Sequence, residues 1–129
     1  MQFGENLYAT GGSVASCQGA VTAWYNEINK LNGKYPGTKW TLDVGHFTQV
    51  MWESSTKVGC ARTLACEGKS ILVCNYSPPG NWAGQAPFSE KVWESLMQAS
   101  GARSSSPSWQ VSALLLATAS VAAWAAALA

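Results

Sequence analysis

Apolar residues recur at helical spacing over an early stretch of the chain, Gln18–Leu31. The apolar positions are Ala20, Val21, Trp24, Tyr25, Ile28 and Leu31. Residues three and four apart lie on one face of a helix, so the pattern predicts an amphipathic helix. Gly33, Pro36 and Gly37 follow and end this helix.

Three later runs are rich in β-branched, aromatic and other apolar residues: Phe47–Trp52, Val58–Ala65 and Ile71–Tyr76. Such runs are typical of strands when turn residues bound them. The connections here are Ser54–Thr56 and Glu67–Lys69. Because connections this short join strands of opposite direction, we expect an antiparallel meander.

The segments on either side of this region are less regular. Residues 1–16 contain three glycines around a few apolar positions, which indicates irregular structure with one short strand. Ser77–Pro87 holds three of the five prolines, so we expect an ordered loop there. Ser89 is a suitable N-cap for a last short helix that carries Trp93 on its apolar side.

The chain changes character after Gln98, where small residues at Ser100–Ala102 precede a polar stretch and an apolar end. This order is the layout of a glycosylphosphatidylinositol (GPI) attachment signal, with Ser100 as the attachment residue. A tail-anchored membrane span and a plain extension of the domain remain open as alternatives. The chain is therefore divided into a domain at 1–98, a polar linker at 99–110 and an apolar tail at 111–129.

Length and charge exclude two classes of protein. The chain has 129 residues, which is room for one domain of ordinary size and too little for a multidomain enzyme. Its formal net charge is +1 and it contains no run of Lys or Arg. Because electrostatic binding of nucleic acid requires clustered cations, this composition argues against a nucleic-acid partner.

The four cysteines are Cys17, Cys60, Cys66 and Cys74. An even number in a short chain is typical of two disulfides formed in an oxidising compartment, and counting leaves three connectivities open. The spacings lack the closely paired cysteines of zinc sites. A secretory leader begins with a basic and then an apolar segment, and Met1–Glu5 has neither. Either the protein is not secreted or this chain begins late.

His46 is the single histidine, and a lone histidine is more often structural than a ligand. Glu5 and Glu27 are the carboxylates worth placing beside it, because imidazole and carboxylate together suit a metal or acid–base site. No serine lies in a nucleophile elbow and no glycine-rich phosphate loop is present. The residues alone thus indicate an exported, disulfide-containing module with a candidate His/Glu cluster.

Two segments, Gly45–Cys60 and Ile71–Trp82, closely resemble the signature segments of the CAP superfamily. This family comprises cysteine-rich secretory proteins, antigen 5 and pathogenesis-related proteins of the first group. Gly4–Leu7 and Ala20–Ile28 are similar to the two earlier blocks of the family, and all four blocks occur in the family's order. Pro79–Phe88 is most similar to the plant and fungal branch.

The resemblance implies an α+β fold, a CAP-type α–β–α sandwich around a small antiparallel sheet, here with the first helix layer missing. It also implies a cleft of two histidines and two glutamates that binds a divalent ion such as zinc or calcium. By motif, Glu5 and Glu27 match the glutamates and His46 matches the second histidine. The first histidine has no counterpart, so we expect an N-terminally truncated member with weak metal affinity.

The resemblance further implies an exported, non-enzymatic protein that binds a sterol or another small lipid, or that acts in defence and interaction. Its expected location is extracellular or on the cell surface, held to the membrane by the C-terminal tail or a lipid anchor. A metal-assisted extracellular protease is the alternative. By the same resemblance Cys60 pairs with Cys74, which leaves Cys17 with Cys66.

Overall fold

The computed structural model describes residues 2–64 and 68–104, the last four of them by backbone alone. The chain divides into two compact units, Met1–Ser95 and Leu96–Ala129. Cys66 and residues 105–129, which include the apolar tail, lie outside the described residues. The helices and strands are β1 (Gly4–Gly11), α1 (Cys17–Tyr25), two 3-10 segments (Asn26–Leu31 and Leu42–Val44), α2 (Gly45–Val50), β2 (Lys57–Leu64), β3 (Lys69–Ser77) and α3 (Glu90–Ser104).

The strands form one antiparallel sheet in the order β1-β3-β2. β3 is central: Cys74 lies opposite Asn6 of β1 and opposite Cys60 of β2. The two later predicted strands are therefore confirmed as adjacent antiparallel partners. Together with the helices, this sheet gives the α+β class that the sequence predicts.

The predicted strand Phe47–Trp52 is wrong, because residues 45–50 form the short helix α2. Its three consecutive residues Phe47, Thr48 and Gln49 are all buried, at 0%, 0% and 1% exposure. A strand with one open face would turn every second side chain to solvent, whereas the helical turns of α2 bury all three. Tertiary contacts thus override the strand propensity of this run.

The N-terminal region is more regular than its glycines suggest, since β1 spans eight residues. Gly4 is required by a close approach: a Cβ there would lie 2.1 Å from Gln49 Oε1. Gly11 ends the strand and Gly12 follows with φ +75°. Gly4 allows the close approach of Gln49, and Gly12 allows the chain to turn after the strand. The glycines therefore lie at the ends of β1 and do not interrupt it.

The predicted first helix is confirmed and changes type along its length. Ser16 is its N-cap and accepts a hydrogen bond from the Gly19 amide at 3.0 Å. The α-helical part ends at Tyr25, and a 3-10 segment continues to Leu31, where the chain leaves the helix through Asn32 at φ 50°.

The last helix, α3, begins at Glu90 as predicted and has 15 residues. It continues through residues 99–104, which the sequence assigns to a polar linker. Ser100, the predicted attachment residue, lies in this helix and donates its hydroxyl to the Leu96 carbonyl at 2.9 Å. Within residues 2–64 and 68–104, no helix is both long and apolar enough to cross a membrane.

One face of the sheet is covered and the other is open. The covered face packs with α1 in a core made of Ala15, Ala20, Trp24, Leu72, Cys74 and Tyr76. On the opposite face of β1, Glu5 and Ala9 are exposed and Leu7 keeps 48% of its surface. Every residue of β2 is exposed. The helices that position the candidate site therefore lie against the covered face.

A second cluster of aromatic rings surrounds Phe88, which is 2% exposed. Phe47 meets its ring edge-on with centroids 6.0 Å apart, and Trp93 stacks on it at 6.3 Å. The Tyr35 hydroxyl donates to the Phe88 carbonyl. Burial raises the pKa of Tyr35, and Glu90 and Glu53 raise it further. Through Phe47, this aromatic cluster packs against the buried side of α2.

Candidate functional site

The carboxylate of Glu27 joins the end of the first helical region to α2. Its Oε2 accepts the backbone amides of His46 at 3.0 Å and Phe47 at 3.1 Å. The first amides of a helix lack partners within it, so this carboxylate satisfies two of them and complements the helix dipole. With 15% of its side chain exposed, Glu27 is a largely buried clamp on α2.

The imidazole of His46 is held from two directions. Nδ1 lies 2.9 Å from Glu27 Oε1, and the ring stacks on Trp24 with centroids 6.2 Å apart and planes 6° from parallel. Trp24 is itself fixed, because its Nε1 donates to the Leu7 carbonyl at 3.2 Å. Since Nδ1 is engaged, Nε2 is the ring nitrogen left to take a proton or a ligand.

A lysine completes the charged part of the site. Lys30 Nζ lies 3.8 Å from Glu27 Oε1 and donates to the Asp43 carbonyl at 2.6 Å. Because 55% of the lysine side chain is exposed, solvent screens its attraction to Glu27, and the contact adds little stability.

The three predicted metal ligands are only partly brought together. Glu27 and His46 are in direct contact, whereas Glu5 lies on the exposed face of β1 opposite Asn75. Among the described residues no group of three or more His, Cys, Asp or Glu side chains could hold a metal. Both Glu27 oxygens and His46 Nδ1 are already engaged, and catalytic zinc sites use three protein ligands. The donors that the described residues bring together are therefore too few for a complete metal site.

Buried polar residues that the sequence reasoning missed fix the other side of α2. Asn6 is 2% exposed, and its Nδ2 donates to the His46 carbonyl at 3.1 Å and to the Tyr76 hydroxyl at 3.3 Å. Burial raises the pKa of Tyr76, and the hydrogen bond from Asn6 acts in the opposite direction. The available signal was the place of Asn6 directly after Glu5 in the first family block.

Asn81 holds the start of α2 from the loop after β3. Its Nδ2 donates to the Gly45 carbonyl at 2.8 Å, and its Oδ1 accepts the Thr48 hydroxyl at 2.7 Å. Asn81 has φ 59°, a conformation that asparagine tolerates better than most residues. Its signal in the sequence is the segment Pro79–Trp82, which belongs to the second signature segment of the family resemblance.

Gln49 holds the far end of α2 against the same loop. Its Oε1 accepts the Gly80 amide at 3.1 Å, and its Nε2 donates to the Ser55 hydroxyl at 3.3 Å. A Cβ on residue 80 would lie 2.5 Å from Trp52 Cγ, so glycine is required for this approach. The residues of the signature segments described here thus mainly make contacts that hold α2, and few of them are candidate metal ligands.

An open groove lies beside the Glu27–His46 pair. Its volume is about 400 Å³, and its lining consists of Lys30, Leu31, Pro36, Lys39, Trp40, Thr41, Asp43 and Val44. Trp40 is held in place, because its Nε1 donates to the Gln85 carbonyl at 2.9 Å and its ring packs edge-on against Trp52. The sequence reasoning did not single out this groove.

The predicted disulfide between Cys60 and Cys74 is confirmed, with an S–S distance of 2.01 Å. It joins the exposed strand β2 to the buried side of β3. Cys17 is exposed and its thiol is free in the structure. Its predicted partner Cys66 lies outside the described residues, so the Cys17–Cys66 bridge stays a prediction.

Chemically, the paired imidazole and carboxylate could transfer a proton. In residues 2–64 and 68–104, no hydroxyl or thiol is hydrogen-bonded to the His46 ring, so no nucleophile is paired with it.

The model of the cysteine-rich secretory protein family, CAP, matches residues 1–76. The chain belongs to the CAP family. The helical and sheet arrangement described above is that of a CAP domain.

Curated relatives agree with this assignment. Pathogenesis-related protein 1 of Arabidopsis thaliana is 42% identical over 86 residues, which cover 67% of this chain and 52% of that protein. Salivary antigen-5 of Dipetalogaster maximus is 40% identical over 73 residues, 54% of this chain and 28% of that protein. The chain therefore spans about half the length of the pathogenesis-related relatives it matches.

Solved structures agree with the fold. NaASP2, crystallised with Zn²⁺, is similar at a TM-score of 0.58 and 30% identity, with 67% of this chain and 49% of that chain covered. BmVAL-1 is similar at a TM-score of 0.56, also at 30% identity, with 67% and 48% covered. The zinc belongs to NaASP2; in this chain only Glu27 and His46 of the expected ligands meet.

Proposed function

We propose that this chain is an extracellular defence-type CAP protein that acts by binding, not by catalysis. The observation that carries the proposal is the engagement of Glu27, whose two oxygens hold α2 and the His46 ring. A carboxylate used in this way serves as framework, and no nucleophile is paired with His46 in the described part of the chain. Relatives named pathogenesis-related proteins support the defence setting.

The proposed ligand is a sterol or another small lipid, and the proposed location is the cell surface. CAP relatives bear names from secretory and salivary proteins, which supports export. The apolar C-terminal tail supports anchoring, with Ser100 as the attachment residue. A divalent ion remains a subordinate prediction, and we expect weak affinity because only two of the predicted ligands meet.

Saturable binding of a radiolabelled sterol to the full-length protein tests the lipid part of this proposal. Unlabelled sterol should compete with the bound label. Protein that has been reduced and alkylated should lose binding, because the Cys60–Cys74 link no longer holds β2 to β3. A bound fraction that rises linearly with sterol, with no saturation in the native protein, would rule out lipid carriage.

Peptide hydrolysis distinguishes the proposal from its alternative, a metal-assisted protease. We expect the wild type and His46→Ala to show the same background rate on a mixed peptide library with and without added zinc. Glu5→Ala is the matched control, since Glu5 is a predicted ligand outside the pair. A zinc-dependent rate in the wild type that His46→Ala removes would establish the enzyme instead.

A further inference from the structure

One segment of the chain, residues 30–42, combines positive charge with the most exposed of the large apolar side chains that the structure describes. Lys30, Lys34 and Lys39 are three of the eight basic residues. Leu42 follows them and keeps 86% of its surface exposed. We name Lys30, Lys34, Lys39, Trp40 and Leu42 the basic surface.

The basic surface is built around a groove. Lys30, Lys39 and Trp40 line the same open groove of about 400 Å³. Asp43 is the acidic residue of its lining and Lys30 is paired with Glu27 at 3.8 Å, so Lys34 and Lys39 supply most of the positive charge that the segment presents. Trp40 is fixed by its bond to the Gln85 carbonyl and by Trp52, with ring centroids 6.3 Å apart. The position of Trp40 is therefore set by the fold.

A single exposed leucine needs no explanation, because folded proteins expose many apolar atoms. An exposed leucine in the same short segment as three lysines and a partly exposed tryptophan is different, since this composition is typical of surfaces that enter the boundary between headgroups and acyl chains. We propose that the basic surface docks on an anionic lipid bilayer. The lysines contact the headgroups, and Leu42 and the edge of Trp40 enter the boundary.

The charge of the surface and its apolar side chain together favour this partner. Anionic headgroups complement the lysines, and the acyl boundary removes Leu42 from water. A soluble sulfated glycan would match only the lysines. The docking is separate from the proposed carriage of a single lipid molecule and from any anchor at the tail, because it uses residues 30–42 alone.

Vesicle flotation with the full-length chain tests the docking. The vesicles contain phosphatidylcholine alone or with about one third phosphatidylserine, a negative surface of the kind that attracts basic segments. We expect tighter binding to the anionic vesicles at low salt and loss of this preference at high salt. Each lysine near such a surface contributes a factor of about five, so Lys34→Glu with Lys39→Glu should weaken binding by about twentyfold or more.

Matched variants separate the surface from overall charge and from the tail. Lys57→Glu with Lys91→Glu makes the same change in net charge at exposed lysines elsewhere and should leave binding within about twofold of wild type. Leu42→Ser should weaken binding about fivefold or more, whereas Leu64→Ser, at a residue 76% exposed, should not. Residues 111–129 are identical in all variants, so any contribution of the tail cancels.

Three outcomes would overturn the docking. Equal binding to neutral and anionic vesicles is the first, and equal weakening by the two pairs of charge reversals is the second. The third is tight binding to a soluble sulfated glycan without binding to vesicles, which would assign the surface to a different partner. None of these outcomes bears on sterol carriage or peptide hydrolysis, so the proposals fail or stand separately.

Discussion

The two faces of the sheet differ in what holds them. On the covered face, Asn6 and Tyr76 are buried and hydrogen-bonded to each other, and Asn6 also binds the backbone of α2. On the open face Leu7 is 48% exposed, and β2 is exposed along its whole length. The covered face is fixed by specific polar and aromatic contacts, whereas the exposed strand β2 is held by backbone pairing, one disulfide and the hydrogen bond from Arg62 to the Ala15 carbonyl.

This difference explains why a helix of six residues is stable. α2 is too short to persist on its own, since isolated helices of that length are unstable in water. Glu27 satisfies amides at its start, Asn81 binds it from the loop after β3, and its own Gln49 accepts the Gly80 amide of that loop. The helix is therefore stabilised by its contacts with neighbouring elements on the covered face of the sheet.

The largest expected effect concerns the disulfide, which is the covalent link between the exposed strand and the core. Replacing Cys60 and Cys74 together by Ala should lower the free energy of unfolding by about 3 kcal/mol, the amount expected for a loop of about 15 residues. Chemical denaturation under non-reducing conditions measures the change.

Cys17→Ala is the matched control for this prediction. Cys17 is exposed and free in the structure, so its loss should change stability by less than about 0.5 kcal/mol. A loss as large as that of the Cys60/Cys74 pair would show that Cys17 is bridged in solution, which is the pairing with Cys66 that remains once Cys60 and Cys74 are joined.

Two glycine-to-alanine substitutions should change the free energy of unfolding in opposite directions. Gly80 lies in the loop that packs against α2, and Gly59 lies in the exposed strand β2. Gly80→Ala places a Cβ 2.5 Å from Trp52 Cγ and should destabilise by about 1–3 kcal/mol through overpacking. Gly59→Ala in β2 meets nothing within 4 Å and should stabilise by up to about 0.5 kcal/mol, because alanine reduces the entropy of the unfolded chain. Thermal unfolding measures both changes in stability. Equal changes would contradict the contrast between the closely packed surroundings of α2 and the exposed strand β2.

A smaller effect should appear at high pH. Burial raises the pKa of Tyr76 above 10.0, so the unfolded chain loses this proton first as pH increases. The stability that this raised pKa of Tyr76 contributes is complete below pH 10 and is lost as pH rises through the pKa of the folded state. Stability measured above pH 10 should therefore fall more steeply in the wild type than in Tyr76→Phe. Parallel curves would show that Tyr76 titrates normally.

Much of the fold follows from local pattern. The spacing of Trp24 and its apolar neighbours predicts α1, and the runs Val58–Ala65 and Ile71–Tyr76 predict β2 and β3. The family resemblance predicts the Cys60–Cys74 pairing. The helix and the two strands depend on periodicity and short connections, which a sequence displays directly, whereas the disulfide pairing depends on the resemblance.

The remainder depends on contacts between distant residues. α2 has strand-forming residues and becomes helical through Glu27, nineteen positions before His46. β1 pairs with β3 at a separation that no local pattern indicates. The sequence indicates Glu5, Glu27 and His46, and the resemblance matches them to the family's ligands. The folded chain shows that Glu5 lies apart from the other two and that Asn6, Gln49 and Asn81 make the hydrogen bonds that hold α2.

The central claim is that Glu27 serves as a clamp on α2, and hydrogen exchange of the His46 and Phe47 amides tests it most directly. In Glu27→Ala these two amides should exchange about tenfold faster or more, because each loses a charged acceptor. The amide of Leu72 in β3 should keep its protection, and Glu5→Ala should leave all three rates unchanged. Unchanged protection of His46 and Phe47 in Glu27→Ala would contradict the clamp.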